Sequence, residues 1–193
     1  RLIVDASVKD ALLEKVKAGV SSWKLGDPRD EDVVVGPMVE GPHFEKVKSF
    51  IATTEKEGGK LVQGGKIHSD LGSGWYIEPT IFDNVTADMT LFQQEVFGPI
   101  LAVTTFTSEE EAVALANDSS YGLAASLYTE NLRCAQRVSR AIRAGTVSIN
   151  GFSEGDITTP FGGFKQSGFG GRDKGLEALQ QYVQTKTIWY VQD

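Results

Sequence analysis

The hydrophobic and polar positions of this 193-residue chain alternate between two spacings. Short apolar runs rich in β-branched residues predict strands, and apolar residues three and four positions apart predict helices. The predicted strands are 1–4, 60–63, 76–79, 81–85, 101–106, 124–128 and 145–150. The predicted helices are about 8–20, 42–56, 109–117, 132–142 and 175–184. This alternation is typical of an α/β domain with a largely parallel sheet.

The same pattern predicts which helix faces turn inward, because residues three and four apart share one face. The face of the first helix consists of Val8, Leu12, Leu13, Val16 and Val20. The face of the second helix consists of Phe44, Val47 and Ile51. Ser108 and Glu111 form a capping box, and Asn131 is placed to cap the fourth helix. Residues 25–41 are rich in Gly, Pro and Asp and predict a long loop.

The last apolar run, Thr185–Val191, alternates and is rich in β-branched and aromatic residues, which predicts a strand. This strand has no following partner in the chain and would be an exposed sheet edge. Natural proteins usually pair or cover such an edge. We therefore expect another segment or subunit to complete the sheet, with Thr185–Val191 as the contact of a homo-oligomer.

Composition excludes several classes of partner. Nineteen Lys and Arg against 26 Asp and Glu give a net charge of −7, and the chain has no basic run. A nucleic-acid partner or an anionic membrane surface is therefore not expected. The apolar runs are far shorter than the roughly 20 residues that span a bilayer. The single cysteine, Cys134, and the strand-like start at Arg1 in place of a secretory leader favour the cytoplasm.

Several motifs with a chemical meaning fail on their context. Gly151–Gly155 matches the G-x-S-x-G turn that would make Ser153 a hydrolase nucleophile, but the residues after it cannot form the required helix. Both histidines, His43 and His68, precede that serine, whereas the hydrolase order places the histidine after it. Phe161–Gly171 is rich in glycine but does not match the dinucleotide-binding motif, and Gly65 and Lys66 lack the flanking residues of a P-loop.

Metal binding and thiol chemistry are also weakly supported. His43 and His68 have no clustered cysteines or acidic residues at ligand spacing, which does not favour a metal site. Cys134 lies in a helix whose apolar face would be Leu132, Ala135 and Val138. Arginines next to it could lower a thiol pKa, but no histidine is near it in sequence. A structural role for Cys134 is therefore favoured.

One segment carries a strong resemblance to a known family. Leu91–Ile100 contains Glu-Val-Phe-Gly-Pro and resembles the E-x-F-G-P segment of the aldehyde dehydrogenase superfamily. It is followed at family-like spacing by Asn117–Leu123, which resembles N-x-x-x-Y-G-L, by Asn150 and by Pro160–Gly168. The resemblance covers essentially the whole chain. Residues 154–163 and 171–174 look most like the ω-aminoaldehyde branch, which includes γ-glutamyl-aminobutyraldehyde and guanidinobutyraldehyde dehydrogenases.

The resemblance implies an α/β fold with an open, mostly parallel sheet and flanking helices. Residues 1–178 would be the C-terminal part of the catalytic domain, and residues 179–193 would be an oligomerisation segment that contributes a C-terminal strand to a shared sheet. The nucleotide-binding domain would lie earlier in the parent protein.

The resemblance also implies cofactor contacts. By match to the family motif, Glu95 would accept hydrogen bonds from the nicotinamide ribose, and Phe97 would pack near the nicotinamide ring. A carboxylate accepts two hydroxyl groups in a fixed fork, which suits a ribose. His43 and Lys46 match positions that reach the adenine-side ribose, and the family usually has Gln where His43 stands. NAD is expected rather than NADP, but the residue that reads the 2′ position would lie in the nucleotide-binding domain.

The chemistry of such enzymes needs groups that this chain is not expected to hold. A cysteine thiolate attacks the aldehyde, hydride passes to NAD(P), and a glutamate activates the water that hydrolyses the thioester. In the family the cysteine motif lies just before the segment that resembles Arg1–Val4. We therefore expect the chain to be part of a longer enzyme and to be inactive alone.

The loop Phe152–Phe161 corresponds to the wall of the family's aldehyde tunnel. Its ends, Phe152 and Phe161, and its acids, Glu154 and Asp156, are the candidate substrate-binding residues. Two carboxylates would favour a cationic aldehyde by about 1 kcal/mol per partly exposed pair. Alternatively, these acids simply face solvent, and the parent is a broad-range or betaine-aldehyde-type dehydrogenase. A non-catalytic interaction module with the same fold is the remaining alternative.

Overall fold

The computed structural model describes residues 1–152 and 155–192. The chain divides into two compact units, unit 1 at Arg1–Ser119 and unit 2 at Ser120–Asp193. The helices are α1 Lys9–Ser21, α2 Gly41–Glu57, α3 Thr90–Gln93, α4 Glu109–Asn117, α5 Leu132–Ala141 and a 3-10 helix at Leu176–Gln181. The strands are β1 Leu2–Asp5, β2 Lys24–Leu25, β3 Val33–Val35, β4 Lys60–Gln63, β5 Ile67–His68, β6 Tyr76–Ile77, β7 Thr80–Asp83, β8 Ile100–Phe106, β9 Tyr121–Gly122, β10 Ala124–Leu127, β11 Thr146–Ile149 and β12 Phe164–Lys165.

A four-stranded sheet in the order β1-β8-β7-β4 organises unit 1. Strands β1, β8 and β7 run parallel, with Leu2 opposite Val103 and Ile81 opposite Leu101. Strand β4 is antiparallel to β7 at one edge. The predicted α/β fold with a mostly parallel sheet and flanking helices is confirmed.

Two apolar clusters in unit 1 hold its helices against this sheet. The larger cluster joins the α2 residues Val47 and Phe50 to Phe82 and Phe92, which are almost fully buried. Burial of each such side chain stabilises the fold by about 1.5–3 kcal/mol. The predicted inward face of α2 is confirmed, since Phe44 and Ile51 are partly buried against the same cluster. In α1 the prediction for Val8 is wrong, because it lies before the first helical turn and is 52% exposed.

The described residues of unit 2 form two small sheets, the helix α5 and the 3-10 helix. Strands β10 and β11 are parallel, and β12 is antiparallel to β9. The predicted cap of α5 is confirmed, because the Asn131 side chain accepts a hydrogen bond from the Cys134 amide. Ala135 and Val138 are buried as predicted, but Leu132 at the first position of the helix is 71% exposed.

Three other predictions need correction. The long loop 25–41 contains strand β3, which pairs with β2. The predicted helix 175–184 is a short 3-10 helix at Leu176–Gln181. Thr185–Val191 is in no strand within the described part of this single chain, because a strand is defined by a hydrogen-bonded partner. Its pairing in an oligomer therefore stays a prediction.

The boundary predicted at residues 178 and 179 does not coincide with the division between the units and also stays a prediction. Among the described residues, no helix has the length and apolar character that a membrane crossing requires.

Candidate cofactor and substrate sites

The segment that follows α3 in unit 1 places two of the candidate cofactor residues. Val96 is buried in the core, while Glu95 before it and Phe97 after it are exposed. Phe97 has a φ of 55°, in the left-handed region, and its side chain is 79% exposed. A bulky residue in that region costs about 1–3 kcal/mol, so surrounding contacts must hold it there. The fold thus presents a carboxylate and an aromatic ring from one short, strained segment.

Helix α2 places the other two candidates. It begins at Gly41, with Pro42 in the first turn, where the missing amide hydrogen of proline costs nothing. The His43 Nε2 lies 2.6 Å from the Phe97 carbonyl oxygen. Lys46 is exposed, and its Nζ lies 5.8 Å from the centroid of the Phe50 ring. His43 and Phe97 are therefore in direct contact, whereas Lys46 lies one turn further along the helix.

An open cleft of about 530 Å³ adjoins these residues. It is lined by Pro37, Met38, Val39, Glu40, His43, Phe97 and Gly98. The lining residues 37–40 were not among the sequence candidates, and their position directly before α2 is the signal that could have found them. A cleft of this size suits part of a small-molecule ligand. An exposed aromatic ring and a carboxylate in this lining suit the flat base and the hydroxyl groups of a nucleotide.

Arg1 is a further residue near this segment that the sequence candidates did not include. Its guanidinium donates hydrogen bonds to the carbonyl oxygens of Leu115, Ala116 and Asp118, at the end of α4. A cation is favourable there because helix C-terminal carbonyls carry partial negative charge. Glu95 also attracts this guanidinium electrostatically.

The candidate substrate residues belong to unit 2. Phe152 is 84% exposed, Phe161 is half-buried, and Glu154 lies outside the described residues. The Asp156 carboxylate accepts hydrogen bonds from the Thr158 amide at 2.7 Å and from the Thr158 hydroxyl at 2.5 Å. These hydrogen bonds, helped by the charge of Lys174, lower the pKa of Asp156. Asp156 therefore stays ionised and also organises its own turn.

A smaller open cavity of about 310 Å³ lies beside this loop. It is lined by Gly145, Thr146, Val147, Ser148, Gly155, Thr159 and Pro160. Strand β11 and the loop that carries Asp156 therefore border this cavity. Lys174, which the sequence candidates did not include, lies with its Nζ 5.2 Å from the centroid of the Phe161 ring. Phe161 thus faces a cation of its own chain.

By sequence, His68 has no acidic residue at ligand spacing, but in the structure two acidic side chains lie beside it. Its Nε2 lies 2.9 Å from Glu78 and its Nδ1 3.1 Å from Asp70. Pairing of β5 with β6 brings Glu78 close despite the ten residues between them. The hydrogen bond with Glu78 raises the pKa of His68 against the opposing effect of burial, and a weaker contribution from Asp70 acts in the same direction as Glu78. Within residues 1–152 and 155–192, no group of three or more His, Cys, Asp or Glu is arranged to hold a metal ion.

The remaining sequence candidates for chemistry have simple surroundings. Cys134 is half-buried in the first turn of α5 as a free thiol. Ser153, the serine of the G-x-S-x-G motif, lies outside the described residues.

Comparison with known proteins gives concordant results. Residues 1–188 match the Aldehyde dehydrogenase family. The chain is 50% identical to the aminoacetaldehyde dehydrogenase of Pseudomonas aeruginosa and 43% identical to the NADP/NAD-dependent aldehyde dehydrogenase PuuC of Escherichia coli K12. In both cases the match covers 98% of this chain and 37% of the relative, so the chain spans little more than a third of their length.

Solved structures agree with the sequence matches. One is a variant of the P. syringae AldA indole-3-acetaldehyde dehydrogenase in complex with NAD+ and IAA. It superposes with a TM-score of 0.93 at 46% identity, over 98% of this chain and 38% of the other. The predicted resemblance to the aminoaldehyde dehydrogenases is confirmed by the Pseudomonas relative. On its sequence, fold and motif geometry, the chain belongs to the aldehyde dehydrogenase family.

Proposed function

We propose that this chain is part of an NAD(P)-dependent dehydrogenase that oxidises ω-aminoaldehydes to carboxylic acids. The observation that carries the proposal is the similarity, across nearly the whole chain, to an aminoacetaldehyde dehydrogenase. Since the chain covers only part of that relative, the activity is assigned to the complete protein.

Unit 1 is proposed to contact the cofactor. Glu95, exposed two residues before Phe97, would accept hydrogen bonds from the hydroxyl groups of the nicotinamide ribose. Phe97 would pack its exposed ring near the nicotinamide. Lys46 would contact the adenine-side ribose from α2, the role that the family resemblance also implies for His43. When bound, NAD(P) supplies the hydride acceptor of the oxidation. NAD is favoured over NADP, and a solved relative is an NAD+ complex.

Unit 2 is proposed to contact the aldehyde. Phe152 and Phe161 supply apolar surface, and Glu154 and Asp156 supply negative charge for an ammonium group. The lowered pKa of Asp156 supports a permanent negative charge at neutral pH. Hydrogen bonds to Thr158 occupy part of the same carboxylate, which limits the attraction that Asp156 can offer. Glu154 is therefore expected to contribute more than Asp156 to selection of the cation.

The covalent step needs a thiolate and a base for water. The Cys134 amide donates a hydrogen bond to the Asn131 side chain that caps α5. The proposed role of Cys134 is therefore structural. The nucleophilic thiolate and the base would be supplied by other parts of the complete protein. The isolated 193-residue chain is accordingly proposed to be inactive.

The C-terminal run is proposed to join a homo-oligomer. Ile188, Trp189, Tyr190 and Val191 are all largely exposed in the single chain. An exposed run of large apolar side chains at this density marks a contact surface. Pairing through Thr185–Val191 would cover these side chains and satisfy the free backbone groups.

The test compares 4-aminobutyraldehyde, betaine aldehyde and propionaldehyde as substrates of the complete protein, with NAD(P)H formation as the readout. We expect a higher kcat/KM for the amino substrate. Glu154→Gln should lower that preference about fivefold, the equivalent of one partly exposed ion pair, and Asp156→Asn should lower it less. Glu130→Gln, an exposed charge change elsewhere in unit 2, is the matched control and should leave the preference unchanged.

The alternatives give different results. Equal kcat/KM values for all three aldehydes, unchanged by the loop substitutions, would identify a broad-range dehydrogenase with solvated loop acids. Preference for betaine aldehyde over the primary amine would favour the betaine-aldehyde type. No NAD(P)H formation with any aldehyde would contradict the proposed function and favour a non-catalytic module.

A further inference from the structure

Phe97 needs an external restraint to keep its conformation. The residue has a φ of 55° and carries a large side chain, a combination that an isolated peptide rarely adopts. Its ring is 79% exposed, so burial of the ring does not hold the backbone in place. Contacts of the neighbouring backbone must therefore maintain the conformation that directs this ring into solvent.

Two apolar contacts fix the residues on either side of Phe97. Val96 is buried in the large core cluster of unit 1. Gly98 lies directly against α2, because a Cβ atom at this position would be only 2.8 Å from Cγ2 of Val47. The chain on both sides of Phe97 is thus anchored to the core and to one helix, and any larger residue at position 98 would push the segment away.

His43 adds a polar contact to the strained residue itself. Its Nε2 is 2.6 Å from the carbonyl oxygen of Phe97. A carbonyl oxygen only accepts, so Nε2 must carry the hydrogen, in either the neutral ring or the imidazolium. His43 and Val47 are four residues apart on α2 and therefore lie on the same face. One helix face consequently meets the segment twice, through an apolar contact at Gly98 and a hydrogen bond at Phe97.

We propose that His43 is a positioning residue, which holds the Phe97 backbone so that its ring is preorganised at the cofactor cleft before the cofactor binds. The inference deepens the proposed function and rests on it for the identity of the ligand. It differs from a direct contact between His43 and the ribose, since here the effect of His43 passes through Phe97. The chemical requirement at position 43 is then a hydrogen-bond donor of suitable length, not an imidazole.

The test uses the complete protein with His43→Leu and His43→Gln, which have similar volumes and differ in the donor. Glu45→Ala, on an exposed position of the same helix, is the matched control. Hydrogen–deuterium exchange of the peptide 93–100 is measured first without cofactor. NADH affinity is then measured by fluorescence titration.

We expect His43→Leu to raise the exchange rate of peptide 93–100 and to weaken NADH binding, each about three- to tenfold, the value of one hydrogen bond. His43→Gln should remain within about twofold of the wild type, because the glutamine amide also donates. Glu45→Ala should change neither quantity. If His43→Leu does not accumulate as folded protein, His43→Ala takes its place in the same comparison with His43→Gln.

Two results would overturn the proposal. Weaker NADH binding by His43→Leu with unchanged exchange in the cofactor-free protein would mean that His43 contacts the cofactor directly. Equal defects in His43→Leu and His43→Gln would mean that the ring, not its donor, matters. Failure of the wild-type protein to bind NADH or NADPH would contradict the proposed function instead, while the exchange comparison would still decide the positioning role.

Discussion

Units 1 and 2 position their candidate residues by different means. All but two of the buried hydrophobic residues in the described part of the chain lie in unit 1, and the exceptions are Ala135 and Val138. In unit 1 the candidate segment at Glu95–Gly98 is anchored on this core through Val96. In unit 2 the candidate loop is organised mainly by local hydrogen bonds, such as those of Asp156 with Thr158.

This difference fits the chemistry proposed for each unit. A nucleotide is the same in every reaction cycle, so a preorganised carboxylate and ring on a rigid core suit it. The aldehyde contacts are proposed to lie in a loop, where sequence can change without disturbing a core. Large apolar side chains remain exposed in unit 2, whereas those of unit 1 are mostly covered by their own sheet and helices.

The greatest contrast in stability between the two units is expected from substitution of one aromatic residue in each. Phe82→Ala, at a fully buried position of unit 1, should cost about 3–5 kcal/mol in free energy of unfolding. Trp189→Ala, at an 87% exposed position, should leave protomer stability nearly unchanged but weaken oligomer assembly. Urea unfolding and sedimentation velocity of the complete protein measure the two effects. An unchanged oligomer in Trp189→Ala would argue against assembly through the C-terminal run.

A medium loss of stability is expected when a helix cap is removed, and each unit contains such a cap. Ser108 caps α4 in unit 1, and Asn131 caps α5 in unit 2. Ser108→Ala and Asn131→Ala should each cost about 1 kcal/mol, since each leaves one helix amide without its side-chain acceptor. Urea unfolding gives the cost, and local amide exchange gives its location. We expect Asn131→Ala to open α5 locally, whereas Ser108→Ala should lower the stability of all of unit 1.

The smallest effect is a pH dependence within unit 1. The hydrogen bond with Glu78 raises the pKa of folded His68 above its ordinary value of 6.5. A raised pKa means that the folded state binds the proton more tightly, so this contribution is complete below pH 6.5 and is lost as pH rises through the folded pKa. The melting temperature should therefore fall between pH 6 and about 8 more in the wild type than in His68→Gln. Parallel curves for the two proteins would rule out this contribution.

Much of the fold could be predicted from local sequence. The Ser108 cap of α4 and the strand Lys60–Gln63 match their predicted positions, because both depend on neighbouring residues. The short pairs β9 with β12 and β5 with β6 were missed as sheets, since each contains only two residues per strand. Val8 and Leu132 were wrongly placed inside, because periodicity continues past a helix end while the packed surface does not.

Residue spacing along the chain is enough to predict the α/β class and the main helices, and the resemblance to the family supplies the four candidate cofactor positions. Three features depend instead on the folded chain: the left-handed conformation of Phe97, the contact of His43 with its carbonyl oxygen, and the position of Glu78 beside His68. The contact between His43 and Phe97 joins residues 54 positions apart, and the contact between His68 and Glu78 joins residues 10 positions apart. Their formation depends on how α2 and the β5–β6 pair fold back on their neighbours. Local sequence patterns do not specify contacts between residues so far apart in the chain.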